Sequence, residues 1–546
     1  MKTNILEKLL TVFLSLSLLS CNSDFLDREQ LGVLDEETYI STADAGYKLL
    51  TNCYIPMLDN WNYQVAKFEI GESFADNSMK GGSDAADRVM VTEVSRGNPT
   101  TTNGLLYDYW NHRYRTAISA CNVFLSLVTP EKELIDANGT LIPEETKKRW
   151  ISEVYFLRAF YYFDLAIVFG NIPIVDKVLT AADKNTIVKS DRMDVLNFIV
   201  SDLDKAISED NLISVKDLPS SEIGRVTKEA ALSFRARVKM FYNDYVGAKE
   251  DLAKVVNSGY YELANDYQSL FNSFDEGYLS KEAVFITIQS YIPNYTGGSV
   301  CPQMNMGRNN VGGWGGQCPT NDLVAEYEVG DPRLTHTVMS SGDIFYKADG
   351  VTTEVHDYTG YDNFTLQHSR KQWVDYSRRP TGNLTQTDWT FYHIRYADVL
   401  LMYAECLIET DDNKQLAVDL INKVRKRAFV STSSTDKYAQ YRRFNISDDK
   451  KVTEDIFESK YKIKVTDDLR KAVRHERRVE LAGEGLRLYD LLRWGTFVQT
   501  MQAFGKTPEG QYSGTGTLVT DKTWPYPIPQ NEIDYVGGSL TQNDNY

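Results

Sequence analysis

RYADVLLMYAECLIETDDNKQLAVDLINKVRKR, residues 395–427, sets the architecture expected of the whole chain. Arg395–Glu409 predicts a helix of about four turns. Thr410-Asp411-Asp412 is a short polar turn, and Asn413–Arg427 predicts a second, antiparallel helix. Ala397, Ala404 and Ala417 are small enough to let two such helices approach closely. Cys406, set among Leu400, Met402, Tyr403 and Leu407, fits as a buried small hydrophobe.

The same layout recurs upstream. Thr227–Asn243 and Tyr245–Asn257 form another helix pair, with Ala230, Ala231, Ala236 and Ala248 in equivalent roles, closed by Ser258-Gly259. Glu145–Phe169 places Trp150, Val154, Leu157, Tyr161 and Leu165 at helical spacing before Gly170 and Pro173 end it. Further helices are expected at Thr42–Tyr54, Leu105–Leu127, Met193–Ile207 and Asp467–Trp494. A hairpin with its exit spans about 34 residues, the size of a tetratricopeptide unit. The Trp and Gly-Tyr markers of that repeat are not matched, so the correspondence is one of architecture. Between Tyr260 and Trp389 helical periodicity fades and Gly, Asn, Ser, Thr and Tyr dominate. So long a stretch is expected to carry functional loops. The fold class is therefore mainly α: tetratricopeptide-like helical hairpins with a long loop-rich insertion.

The chain has 546 residues, with 59 Lys plus Arg against 76 Asp plus Glu, a formal charge of −17. Such a balance argues against nucleic acid as a partner. Lys2 and Lys8 precede the apolar run Leu9–Leu19, which is too short to span a membrane and has signal-peptide proportions. Leu18-Leu19-Ser20-Cys21 then looks like a bacterial lipobox, making Cys21 the lipidated N-terminus once residues 1–20 are removed. Excluding Cys21, five cysteines remain: an odd number without close spacing, which is no disulfide framework. A bridge between Cys301 and Cys318 stays open.

Three blocks carry a resemblance. The first is Arg149-Trp150, Glu153, Leu157-Arg158-Ala159, Tyr161-Tyr162-Phe163 and Phe169-Gly170 with Ile172-Pro173. The second is Arg395–Glu405. The third is Glu476-Arg477-Arg478, Glu480-Leu481, Glu484-Gly485, Arg487 and Asp490-Leu491-Leu492-Arg493-Trp494-Gly495. With the lipobox and Pro527-Ile528-Pro529, these resemble the SusD/RagB family of outer-membrane nutrient-binding lipoproteins. Asp544-Asn545 replaces the Pro-Gly often seen at that family's end. The resemblance implies one SusD-like domain over 21–546: an N-terminal helical part (21–259), the insertion (260–390) and a C-terminal helical part (391–546). It also implies a lipid-anchored protein on the extracellular face of the outer membrane. Such a protein captures an oligosaccharide, or in the RagB branch a peptide, and delivers it to a SusC-like TonB-dependent transporter. A transporter lid without soluble ligand is a third implied role.

Catalysis is not signalled. Carboxylates Glu476, Glu480 and Glu484 at i and i+4 invite an acid–base reading, as in a surface glycosidase. A salt-bridge ladder with Arg487 and Arg493 is the preferred account. Arg395 and Asp398 are read in the same way. No H-E-x-x-H, C-x-x-C, G-x-S-x-G or phosphate-binding loop occurs, so no metal or cofactor is expected.

A sugar presents an apolar C–H face that packs on flat aromatic rings, and a hydroxyl rim that suits Asn, Asp, Arg or Gln. Trp110, Trp150 and Trp494 fall in helices and are assigned to packing; Trp389 and Trp524 are taken as scaffold. Trp314 differs, standing inside Gly312-Gly313-Trp314-Gly315-Gly316, where glycines are expected to expose the ring and admit a ligand to the backbone. Arg308 and Asn309 precede it as polar partners. Tyr291 and Tyr295 are equally readable as ligand contacts or loop anchors. Trp61 and Tyr63, with Asp76 and Asn77 as companions, and Trp373 beside Arg370 and Lys371 complete the candidates.

Overall fold

A computed structural model describes residues 36–546 apart from 209–210, 273, 293–296, 348, 350, 358–363, 375–378, 380–384, 433 and 435–450. The proposed signal segment, Cys21 and Tyr295 lie outside the described residues. The chain divides into two units, Met1–Tyr47 with Glu133–Ile142, and Lys48–Lys132 with Pro143–Tyr546. In the first, Glu36–Ile40 is helical, the Asp44 N–H donates to Ile135 O at 2.9 Å, and Ile135 bridges to Leu141.

The second unit is built on helix pairs: α1 (Glu144–Phe169) on α2 (Arg192–Ile207), α3 (Lys228–Met240) on α4 (Tyr245–Asn257), and α5 (Tyr396–Glu409) on α6 (Lys414–Lys426). α2 also packs on α3 and α4 on α5, so the pairs stack in succession as a tetratricopeptide-like array. Local chemistry starts these helices where the sequence indicates. Thr227 Oγ1 accepts from the Ala230 N–H, Asp244 Oδ1 from Gly247 and Asn413 Oδ1 from Leu416, each satisfying an amide that the first helical turn leaves free. The alanines named above are fully buried at the helix contacts. α1 is buried on nearly every side, which is why its Phe and Tyr residues do not alternate with polar ones.

The helix expected over Asp467–Trp494 is two, α7 (Leu469–Leu481) and α8 (Arg487–Arg493), followed by α9 (Phe497–Phe504). Gly483 (φ +78°) and Gly485 (φ +77°) turn the chain between α7 and α8. Residues 104–127 are helical throughout, with π-type turns at Asn111–Ile118.

The insertion is more ordered than a loop. Among its described residues, with β1 joining from far upstream, there are four two-stranded antiparallel ladders: β1 (Ser78–Lys80) with β3 (Gln317–Pro319), β2 (Ala283–Gln289) with β8 (Trp389–Arg395), β4 (Val338–Ser340) with β7 (Gln367–Ser369), and β5 (Ile344–Tyr346) with β6 (Thr353–Val355). Tyr267, Met304, Phe345, Trp373, Trp389 and Phe391 form an apolar core beneath them. Cys53, Cys121, Cys301, Cys318 and Cys406 are buried thiols, so Cys301 and Cys318 form no bridge. Among the described residues no helix is long and apolar enough to cross a membrane.

The charged stripe is a buried ion network. Arg395 donates to Glu282 (2.7 Å), Glu480 (2.6 Å) and both oxygens of Glu484 (2.8 Å). Arg333 reaches Asp331, Glu476 and Glu480, and Arg427 reaches Glu282 and Glu480. Asp398 is held by Arg237 and Arg477. Arg493 pairs with Glu405 and Asp490, while Arg487 leaves the stripe to pair with Asp76 at 2.7 Å. Every carboxylate of the stripe is thus committed to guanidinium or ammonium groups.

Candidate functional site

Two candidates far apart in the chain meet. Asp59, in extended backbone, accepts from the Trp61 and Asn62 N–H groups at 2.9 and 2.7 Å and so starts the π-type turn Asn60–Val65. That turn presents Trp61 outward, with 42% of its surface exposed. Asn60 ties it to the insertion, donating to Gly298 O and accepting from the Val300 N–H at 3.0 Å. Trp314 lies across from Trp61, with ring centroids 6.0 Å apart and planes 14° from parallel.

The glycines around Trp314 do something other than admit a ligand to the backbone. Gly313 N–H donates to Gly307 O, Trp314 to Gln303 O, Gly315 to Met306 O and Gly316 to Met304 O, all within 2.7–2.9 Å. The loop is therefore folded tightly back on the short helix Cys301–Asn305. A Cβ on Gly313 would stand 2.3 Å from Met306 O, so only glycine permits this approach. Beyond β1, Gly81 and Gly82 extend the ladder by donating to Gly316 O and Gly315 O, both at 2.9 Å. With its backbone amides already paired, the Trp314 loop presents its ring at little further entropic cost.

The two rings line a pocket of about 340 Å³ together with Glu69, Lys80, Gly81, Ser83, Asp87, Arg88, Met304 and Arg308. The Arg88 guanidinium lies over the Trp61 ring at 5.6 Å and is held by both oxygens of Glu69. Burial raises the Glu69 carboxyl above its ordinary value, against the opposing pull of Arg88. Arg308 donates to Trp314 O at 2.5 Å, bracing the loop from within. The result is a fixed aromatic surface rimmed by cations, carboxylates and a hydroxyl.

Of the sequence candidates, Trp61, Trp314 and Arg308 line this pocket. Tyr63 does not: it is fully buried against Tyr161, Phe391 and His393, and Arg113 sits 4.5 Å from its ring. Two residues on from Trp61, it faces the opposite side of the turn. Asn77 is also buried, donating to Glu72 and accepting from Arg478 Nε at 2.9 Å; Asp76 beside it is consumed by Arg478 and Arg487. Trp373 is a core residue packed on Phe345. Asn309 is exposed but donates to Asp357 O at 2.9 Å, away from the pocket lining. Tyr291 is half-buried, its N–H held by Asp388, and is likewise not a lining residue. Sequence reasoning missed Glu69, Lys80, Asp87 and Arg88. The usable signal was Gly81-Gly82, a second glycine cluster marking close backbone approach. Among the described residues no group of three or more His, Cys, Asp or Glu is placed to hold a metal ion.

Comparison with known proteins follows the fold. The model described as the SusD family matches residues 281–546, and one described as starch-binding associating with outer membrane matches residues 24–240. A SusD-like protein of Formosa agariphila is 23% identical, over 99% of each chain. A solved SusD-like carbohydrate binding protein from Bacteroides fragilis is 28% identical with a TM-score of 0.71, over 91% of this chain and 99% of its own. Surface glycan-binding protein A from Bacteroides thetaiotaomicron, in complex with laminarihexaose, shares the fold at 21% identity and a TM-score of 0.70, over 92% and 100%. Carbohydrate binding is thus a property of solved SusD-like proteins. The two matched regions together cover the helical array apart from α4 and the insertion from residue 281 onward, and the chain belongs to the SusD/RagB family.

Proposed function

We propose that this protein captures an oligosaccharide at the Trp61–Trp314 pocket and passes it to a SusC-like TonB-dependent transporter of the outer membrane. In this reading residues 1–20 are a lipoprotein signal peptide and Cys21 carries the lipid that holds residues 21–546 at the extracellular face as one SusD-like domain. The protein catalyses no reaction. The observation that carries the reading is the stacked tryptophan pair on a polar-rimmed pocket.

Geometry favours one mode of contact. A sugar held between two rings needs two van der Waals layers, about 7–8 Å in all at roughly 3.5–4 Å each. The rings stand 6.0 Å apart, so the sugar docks on the surface they present jointly. Lys80, Asp87, Arg88 and Arg308 then meet its hydroxyls. A shallow contact of this kind gives modest affinity and fast release, as delivery to a transporter requires.

Calorimetric titration with a panel of neutral oligosaccharides tests the proposal. At least one should bind, and Trp314→Ala should weaken it roughly tenfold or more. Full affinity in that variant removes the platform. Micromolar binding from a peptide library while every glycan is silent replaces the ligand class.

A further inference from the structure

We propose that the cleft walled by α7 and α9 is a second binding site, one that takes an anionic saccharide such as an oligouronate. This site goes beyond the tryptophan pocket and shares no lining residue with it. The cleft has a volume of about 710 Å³, twice that of the pocket around Trp314.

Its chemistry comes from one helix face. Arg470, Lys471, Arg474, His475 and Arg478 recur at three- and four-residue spacing along α7 and line the cleft. Like charges at this spacing repel and destabilise a helix unless something opposes them. Most are opposed from within. Arg478 meets Asp76, Asp322 and Glu326; His475 meets Glu326 at 2.6 Å; Arg470 meets Glu409 at 2.7 Å. Arg487, on the far wall, is paired with Asp76.

Arg474 and Lys471 are the exceptions. No carboxylate oxygen of a described residue lies within 4 Å of the Lys471 ammonium or the Arg474 guanidinium, although the Lys471 backbone N–H donates to Asp468 at 3.1 Å; the Arg474 Nε is shielded from solvent without a hydrogen-bond partner. Arg474 instead places its guanidinium over the Trp494 ring, 4.9 Å from its centroid. That contact pre-orients a guanidinium fork toward a planar carboxylate. Burial would lower the His475 imidazole, but its hydrogen bond with Glu326 and the Glu328 carboxylate 3.7 Å away raise it to about 9, so it adds positive charge at neutral pH. Six cations line the cleft against the four lining carboxylates Asp76, Asp322, Glu326 and Asp468; Glu409 and Glu328 answer Arg470 and His475 from outside it, which leaves Lys471 and Arg474 as the unopposed cations in a chain of net charge −17. Thr496, Gln499 and Thr500 on the opposite wall supply hydroxyls and an amide of the kind a sugar rim needs. Trp494 is therefore more than a packing residue: half-buried, it backs the free guanidinium.

The test is calorimetric titration of the purified full chain with tetragalacturonate at two salt concentrations. Binding should occur and weaken with salt, and combined Lys471→Gln and Arg474→Gln should lower affinity at least tenfold. Gln499→Glu, which adds a carboxylate to the other wall without touching α7, should also lower it, while Trp314→Ala leaves it unchanged. Absence of binding, or unchanged affinity in the α7 double variant, overturns the site. Equal binding of an oligoglutamate peptide overturns the saccharide assignment. Failure of neutral glycans at the tryptophan pocket would leave all these readouts intact.

Discussion

Changing Glu480 to Gln should destabilise the protein by about 4 kcal/mol. Glu480 Oε1 accepts from Arg395 Nη1 at 2.6 Å and from Arg427, and Oε2 accepts from Arg333 Nη1 at 2.8 Å. All four side chains are buried. The substitution keeps one acceptor and turns an amide N–H₂ toward a guanidinium, donor against donor. Three charge-assisted bonds at roughly 1.5–3 kcal/mol each set an upper range of about 4.5–9 kcal/mol. The arginines keep Asp331, Glu476, Glu282 and Glu484, which restrains the loss to the roughly 3–5 kcal/mol seen when one member of a buried pair is removed. The pH dependence has a definite sign. Burial would raise the Glu480 carboxyl, but Arg427, Arg395 and Arg333 outweigh it and hold it well below the usual carboxylate range. A depressed folded value means the contribution is complete above the unfolded value near 4.3 and fades as pH falls below it. Urea unfolding followed by both fluorescence and far-UV circular dichroism, at pH 7 and at pH 4, measures the difference between wild type and variant. A difference below about 1 kcal/mol at pH 7, or one that grows toward pH 4, would refute the reasoning.

Three further outcomes are expected. Trp61→Ala and Trp314→Ala should each lower oligosaccharide affinity, and the double variant should lose less than the sum, by about 0.5–1.5 kcal/mol, because each ring backs the other; titration calorimetry over the full cycle reads the coupling. Gly81→Ala would set a Cβ 1.9 Å from Gly315 O, so it should displace the Trp314 loop and weaken glycan binding, with intrinsic tryptophan fluorescence reporting the shift. His475, raised from 6.5 to about 9, contributes at most about 3 kcal/mol of stability, complete below pH 6.5 and lost as pH rises through about 9; denaturation midpoints of wild type and His475→Gln should therefore converge at high pH.

The helical array was legible because its signals are local. Caps at Thr227, Asp244 and Asn413 and apolar spacing of three and four place helix ends within a few residues of those observed. The break between α7 and α8 was legible too, in Gly483 and Gly485, but the charged periodicity continues through it and masked the stop. Gly71 explains the turn: a Cβ there would stand 2.1 Å from Gly485 O, a contact between chain segments that no local pattern encodes. The candidate site was legible by half. Trp314 stood out by its glycine setting and Trp61 by its polar neighbours, yet their pairing spans 253 positions. Arg88 gave no sign at all, since its role depends on Glu69 and Trp61 converging in space. Tyr63 was misplaced for a reason the sequence does contain. Read as a helical turn, the segment puts residues two apart on opposite sides, so Trp61 and Tyr63 cannot both face one pocket.

The buried charges have a consequence for how the pocket keeps its shape. A network like that around Glu480 is no stronger than well-packed apolar side chains of similar volume, so stability alone does not account for it. Its distinguishing property is direction. Glu476 and Glu480 on α7 and Glu484 just beyond it receive Arg333 and Lys371 from the insertion, Arg395 from the head of α5 and Arg427 from the end of α6. Arg395 and Arg427 both reach Glu282 at the start of β2, the strand that pairs with β8 beneath the loops. Apolar contacts would tolerate small sliding among these five segments; bidentate and shared ion pairs penalise it. The insertion that carries Trp314 is thereby held in one register against the helices, and Asn60 fixes Trp61 to that same insertion. A ring separation of 6.0 Å is preserved across a chain whose local sequence around either tryptophan contains nothing to fix it.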